Sequence, residues 1–211
     1  MSRMVKAGQV KKLNKTEEIN DVFYLSPKGA NWVEQTMEIP ANYPKHNVEI
    51  MPDQMIHHLH CIKRLIDFKS EFTVPLSASY LDNGYQDNNG LIKKKTDING
   101  VESDLIIGIE NGRRIEYFLY EYENKKSVKE IMEKLETHKK LMGSGEVQKE
   151  LGFDGEERGY HMLLEVENKA NLGRVMKKFG EDPVFQKLKN NFLFYVNDQW
   201  CEYDKRAVLL V

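Results

Sequence analysis

With 211 residues, 40% hydrophobic and 30% charged, the chain has the make-up of a folded globular protein and not of a disordered one. A net charge of −2 gives no overall nucleic-acid signature, and two cysteines, Cys61 and Cys201, exclude a disulfide scaffold and a CxxC pair for zinc or redox chemistry. No apolar run approaches the ~20 residues of a membrane helix, and the basic N-terminus lacks the apolar core of a signal peptide, so a reducing cytoplasm is the expected setting.

Met1–Lys15 carries Arg3, Lys6, Lys11, Lys12 and Lys15 without an acid, whereas Thr16–His60 is mostly acidic. A basic end beside an acidic body fits contact with a phosphate backbone, and it fits a solvated terminus equally. Gly8–Lys15 and Asp21–Leu25 read as a two-stranded ribbon. Ser26 then supplies an N-cap and Pro27 the first position of a helix through about Gln35. Pro40, Pro44 and Pro52 punctuate a linker, giving an expected division into residues 1–45 and 46–211. From Asp53 to about Phe68 a helix is expected, with Ile56, Leu59, Ile62, Leu65 and Ile66 as its buried face. On that helix His57 and His60 share a side and His57 and Cys61 could hold one ion. Without a second ligand pair, structural histidines are the plainer reading.

Strand candidates follow at Phe72–Tyr80 and Leu91–Ile98, and then Ser103–Asn124, SDLIIGIENGRRIEYFLYEYEN. Two β-branched and aromatic runs flank Asn111-Gly112, a hairpin signal that pairs Ile106 with Tyr117 and Asp104 with Leu119. Period-two alternation then points Glu102, Asp104, Glu121 and Glu123 the same way, with Asp104 and Glu121 as diagonal neighbours. Four carboxylates so close suit a divalent metal bound through oxygen, and they suit the solvated end of a hairpin as well. Ser127-Val-Lys-Glu130 is a capping box that opens a helix with a buried stripe of Val128, Ile131, Leu135 and His138, ended at Gly143–Gly145. Lys134 stands on the shoulder of that stripe. There it either leans over the carboxylates, orienting water or neutralising phosphate, or is one solvated lysine among many.

Glu146–Leu151 reads as a short helical turn, Tyr160–Val166 as a buried strand, Asn171–Phe179 as a helix and Phe192–Val196 as the last strand. Arg174, Lys177 and Lys178 form a basic helix face open to phosphate or to solvent. GxGxxG, Walker and GxSxG motifs are absent, which leaves nucleotide-dependent and α/β-hydrolase chemistry without support. The fold class expected is α/β (α+β), a mixed sheet flanked by helices after a small N-terminal module.

The order of these elements resembles the replication-relaxation family of plasmid and mobile-element proteins, which join a winged-helix DNA-binding domain to a PD-(D/E)XK nuclease-like core. AGQVKKLN and NDVFYLSPKGANWV look like the end of a recognition helix, the wing and the helix after it. MIHHLHCIKRLIDF is similar to the family's His-containing helix, and ESDLIIGIENGRRIEYFLYEYEN to its Pro-Asp strand, hairpin and Glu-x-Asp strand. KSVKEIMEKLETHKK is similar to its lysine-bearing helix, and YHMLLEVENKANLGRVMKKF to its later strand and arginine-bearing helix. The departures are Ser103 where the motif has proline, and Glu123 where an active enzyme carries the lysine of E-x-K, so that only Lys134 could substitute. The winged helix also lacks its first helices, as if the chain began internally. The resemblance implies a partial winged helix over residues 1–45 and a nuclease-like domain over 46–211. It implies a cytoplasmic DNA-binding accessory protein of plasmid replication or mobilisation, partnered by a replication or relaxase protein, without robust catalysis. Arg3, Lys6, Lys11, Lys12 and Arg174 would contact DNA. The alternative is a metal-dependent endonuclease in which Asp104 and Glu121, with Glu123, hold Mg²⁺ or Mn²⁺ and Lys134 orients the attacking water. A protein-interaction module left from a larger ancestor is a third reading.

Overall fold

The computed structural model describes residues 6, 10–12, 23–37, 52–80, 85–86, 92–93, 96–150 and 160–203. The chain divides into two compact units, Met1–Leu59 and His60–Val211.

In the first unit, β1 (Val10–Lys12) pairs antiparallel with β2 (Phe23–Leu25), the ribbon expected from the sequence. Helix α1 (Pro27–Met37) follows directly. The Ser26 hydroxyl accepts the Gly29 N–H at 3.1 Å, and Pro27 lacks the N–H that would otherwise need a partner there. Pro40 and Pro44 of the expected linker lie outside the described residues, as does the expected boundary at residues 45 and 46. Helix α2 (Pro52–Glu71) opens on Pro52 and continues into the second unit from His60 onward.

The second unit is built on a six-stranded mixed sheet in the order β12-β11-β10-β9-β8-β3. Its strands are β3 (Leu76–Ser79), β8 (Leu105–Asn111), β9 (Arg114–Glu123), β10 (His161–Val166), β11 (Phe192–Val196) and β12 (Gln199–Glu202). Pairs β3–β8, β8–β9 and β11–β12 are antiparallel, and β9–β10 and β10–β11 are parallel. Parallel neighbours need helical crossovers. Helix α3 (Val128–Ser144) with the short α4 (Glu146–Glu150) lies on the first crossover, and α5 (Lys169–Glu181) with α6 (Pro183–Lys187) on the second. The short ribbons β4 (Tyr85–Gln86) with β5 (Ile92–Lys93), and β6 (Asp97–Ile98) with β7 (Val101–Glu102), lie between β3 and β8. The single strand expected over Leu91–Ile98 is thus split between two ribbons.

Alternation gives the sheet two packed faces. Ile106, Leu119, Leu164 and Phe194 form one core with Ile131 and Leu135 of α3 and Val175 and Phe179 of α5. Leu105, Ile107, Tyr120 and Leu163 form the other, with Cys61 and Phe68 of α2. Helix α3 begins with the expected capping box, in which the Ser127 hydroxyl accepts the Glu130 N–H and the Glu130 side chain accepts the Ser127 N–H. It ends at Gly145 with φ 72°.

The α2 residues that face the sheet are Cys61, Arg64 and Phe68, while Leu59, Ile62 and Ile66 are exposed and Ile56 and Leu65 half-buried. The helix is turned so that Arg64 reaches a buried carboxylate on β10, an interaction invisible to hydrophobic periodicity. The hairpin turn is Gly112-Arg113 rather than Asn111-Gly112, with Asn111 opposite Arg114 and Ile106 opposite Leu119. Gly112 takes φ 65°, the positive angle required at the first central position of a II′ turn. Asn111 stays in the strand instead and donates its side-chain N–H to Glu116 Oε1 at 2.8 Å. The ladder moves by two residues, and a shift of two keeps every side chain on its expected face.

Candidate functional site

Residues Glu121 and Glu123 lie near the end of β9 on the face covered by α3, and both are buried. Asp104 stands immediately before β8, past the last pair of the ladder, and its N–H donates to the Tyr120 carbonyl at 3.1 Å. Asp104 is half-buried, and its Oδ2 accepts the Tyr122 N–H at 2.8 Å. Glu102 departs from the expected group of four, because it belongs to the β6–β7 ribbon and is exposed.

Helix α3 supplies the compensating groups one turn apart. Lys134 Nζ sits 2.6 Å from Glu121 Oε2 and 2.7 Å from Glu123 Oε1, with 31% of its side chain exposed. The ammonium therefore joins the carboxylates and is not one of the solvated lysines. Four residues on, His138 Nε2 lies 2.8 Å from Glu121 Oε1 and donates its proton to that carboxylate. The Tyr160 hydroxyl donates to the His138 carbonyl at 2.9 Å and lies 3.4 Å from His138 Nδ1. Glu121 has no exposed surface, and each of its oxygens has one basic neighbour.

Electrostatics separate the two glutamates. Burial would raise the Glu121 carboxyl, but Lys134 and His138 together outweigh it and hold the group below its ordinary value. Burial pushes the Glu123 carboxyl up. Lys134 opposes the rise, Glu121 and Asp104 add to it, and the result stays above the ordinary value. Burial would lower the Lys134 ammonium, yet Glu121, Glu123 and Asp104 raise it and keep it charged. Cys61, on the other face, is held as a neutral thiol by burial, with Asp104 and Glu121 reinforcing the effect. Glu121 and Glu123 thus share one ammonium, to which Asp104 adds its charge, and Glu121 also meets the imidazole.

The opposite face buries a second carboxylate network. Glu165 of β10 accepts Arg64 Nε at 2.6 Å, Arg64 Nη2 at 2.9 Å and the Tyr120 hydroxyl at 2.8 Å. Arg64 also reaches Asp67 at 3.1 Å and lies 3.8 Å over the Tyr195 ring. His60 stacks on Tyr122 at 4.2 Å, with Nδ1 3.8 Å from Glu165, and burial lowers its pKa. His60 is thus tied up in packing on that face.

The remaining site residues expected from the sequence do not join either network. Arg174 is exposed on α5 with Lys177 and Lys178, and Lys6 is exposed. Lys11 and Lys12 lie on β1, and Arg3 lies outside the described residues. Sequence reasoning missed Glu165, Arg64 and Tyr120 as a network and treated His138 as core. The usable signals were an acid inside the apolar run YHMLLEV, an arginine on the sheet side of α2, and a histidine four residues after Lys134. No family model, no curated protein and no solved structure matches the chain. What the fold and site define is a mixed α/β protein with a closed acid–lysine–histidine cluster at one end of its central hairpin.

Proposed function

We propose that this chain is a DNA-binding accessory protein of plasmid or mobile-element replication or mobilisation, with a nuclease-like core used as a scaffold. The observation that carries the reading is the closure of Glu121. It is fully buried, with Lys134 on one oxygen and His138 on the other. The run of α2, three antiparallel strands, α3 and a parallel strand is similar to the PD-(D/E)XK core, which supports a nuclease ancestry. A magnesium site wants about six oxygen ligands in near-octahedral array, with several waters kept. As arranged, Glu121 turns no surface toward such an ion, and Asp104 is engaged by the Tyr122 N–H. Glu121 and Glu123 do not fit a resident magnesium ion in this arrangement. DNA contact is supported by the exposed Arg174, Lys177 and Lys178 and by the basic stretch with Arg3, Lys6, Lys11 and Lys12, next to a ribbon and helix similar to a wing. Among the described residues no helix is long and apolar enough to cross a membrane. A cytoplasmic setting and a replication or relaxase partner belong to this proposal.

One observation favours the endonuclease as a second reading. Lys134 stands between Glu121 and Glu123, where its ammonium takes the part of the missing E-x-K lysine. That reading requires Lys134 to withdraw from Glu121 and Asp104 to turn outward to Mg²⁺ or Mn²⁺.

Fluorescence anisotropy with duplex DNA over a salt series, run beside a Mg²⁺ cleavage assay, tests both readings. The accessory reading expects binding that weakens steeply with salt. Neutralising Lys11 and Lys12 should make the log–log slope shallower by roughly one to two. It expects no metal-dependent cleavage. Absence of duplex binding at low salt removes it. Efficient Mg²⁺-dependent scission lost in both Asp104→Asn and Lys134→Ala replaces it with the endonuclease.

A further inference from the structure

On the sheet face away from Lys134, the second unit holds a recess of about 750 Å³ between α2 and the strands. Small-ligand sites run from roughly 300 to 1,000 Å³, so its size suits an organic molecule. Its wall is aromatic. Phe68, Phe118 and Trp200 line it, with Trp200 6.3 Å from Phe68 and 4.9 Å from Tyr195 between ring centroids. Such rings offer a broad apolar surface whose faces carry negative quadrupole potential.

Charge is divided along the recess. Lys63 and Arg64 are the bases of the lining, and both are already engaged, Lys63 by Asp67 and Arg64 by Asp67 and Glu165. Toward the β8–β9 turn the lining is acidic, with Glu71 and Glu116, the latter held by the Asn111 side chain. The charge left over is negative, so a phosphate backbone is repelled here and nucleic acid is not the fitting occupant. Aromatic faces beside carboxylates attract a cation, most strongly when its body displaces water from the rings.

We propose that this recess binds an organic cation on an aromatic or alkyl body. The body rests on Phe68, Phe118 and Trp200, and the positive group faces Glu71 and Glu116. A free amine and a lysine or arginine next to an apolar residue of a basic peptide both present that chemistry. The site is separate from the acid–lysine cluster and stands whether or not the protein binds DNA.

In a Trp32→Phe background the indole emission reports Trp200 alone. Titration with benzyltrimethylammonium should quench or shift it saturably, while benzenesulfonate, with the same ring and opposite charge, should not. Glu71→Gln combined with Glu116→Gln should weaken ammonium binding about three- to tenfold, as expected for two partly screened charges. A lysine–phenylalanine–lysine peptide compared with its glutamate-flanked counterpart distinguishes the sources. Tighter binding of the basic peptide than of benzyltrimethylammonium assigns the site to a protein segment, and weaker binding assigns it to a free amine. Equal binding of the sulfonate, no saturable response to the ammonium, or unchanged affinity in the double variant overturns the proposal.

Discussion

The two faces of the sheet solve the same problem by different means. Each buries a glutamate. Behind α2, Glu165 receives two hydrogen bonds from Arg64 and one from Tyr120, so that a fixed guanidinium fork meets one carboxylate. Under α3, a single lysine is shared by Glu121 and Glu123, with Asp104 acting on it as well. The first network is balanced and geometrically saturated, as a structural lock should be. The second keeps excess negative charge and a partly exposed ammonium on a flexible stem. The electrostatics of the second side therefore remain unfinished.

Breaking the balanced side should have the largest effect. Arg64→Met leaves buried Glu165 with the Tyr120 hydroxyl as donor and His60 3.8 Å away, and stability in urea unfolding should fall by about 3–5 kcal/mol. Replacing Glu165 by Gln in the same chain should recover much of that loss. A drop below about 1 kcal/mol would remove the contrast between the faces.

Lys134→Met should cost less, about 2–3 kcal/mol, since its ammonium is partly in water and Glu123 can take up a proton in its absence. The loss should be larger at pH 8 than at pH 5, because the unshielded pair is forced to ionise at the higher pH. A pH-independent loss would show that the lysine contributes through packing alone.

The turn that sets both faces comes next. Gly112→Val has open space around its side chain, so the cost is the backbone strain of a β-branched residue at φ 65°, about 1–2 kcal/mol. An unchanged melting temperature would place the turn elsewhere.

The smallest effect has the opposite sign. Glu121 has a lowered pKa in the folded protein, so its stabilising contribution is complete above the unfolded value and is lost as pH falls through the folded one. Glu123 has a raised pKa, so its contribution is complete below the unfolded value and is lost as pH rises through the folded one. Stability should climb with pH below the ordinary glutamate range and sag above it. Glu123→Gln should abolish the sag and gain up to about 1 kcal/mol near pH 7. A net loss at neutral pH would mean that Lys134 needs both glutamates to stay in place.

Much of this was legible in the sequence because local chemistry dictated it. The capping box at Ser127, the Ser26-Pro27 start of α1 and the parity of Glu121 with Glu123 follow from spacing alone, and the structure bears them out. The exact turn was not legible, because Asn111-Gly112 and Gly112-Arg113 both put glycine at an allowed position. Side-chain bonding of Asn111 to Glu116 favoured the second. Strand β12 was missed although Asn197 and Asp198 form its turn, with φ 49° and 63°; both residues tolerate the left-handed region without a glycine to announce it. The orientation of α2 was hidden for a deeper reason. Periodicity counts apolar residues, and here the stripe is set by a buried arginine whose partner lies on a distant strand.

That distance has a kinetic side. The Glu121–His138 contact closes a span of 17 residues, and the Arg64–Glu165 contact closes one of 101. Short loops close at little entropic cost, so the hairpin and α3 can come together early, whereas the arginine docks only after β10 has been added to the sheet. Substitutions on the lysine side should therefore slow folding. Those on the arginine side should mainly speed unfolding, which makes Arg64 the bolt that sets how long the native state lasts.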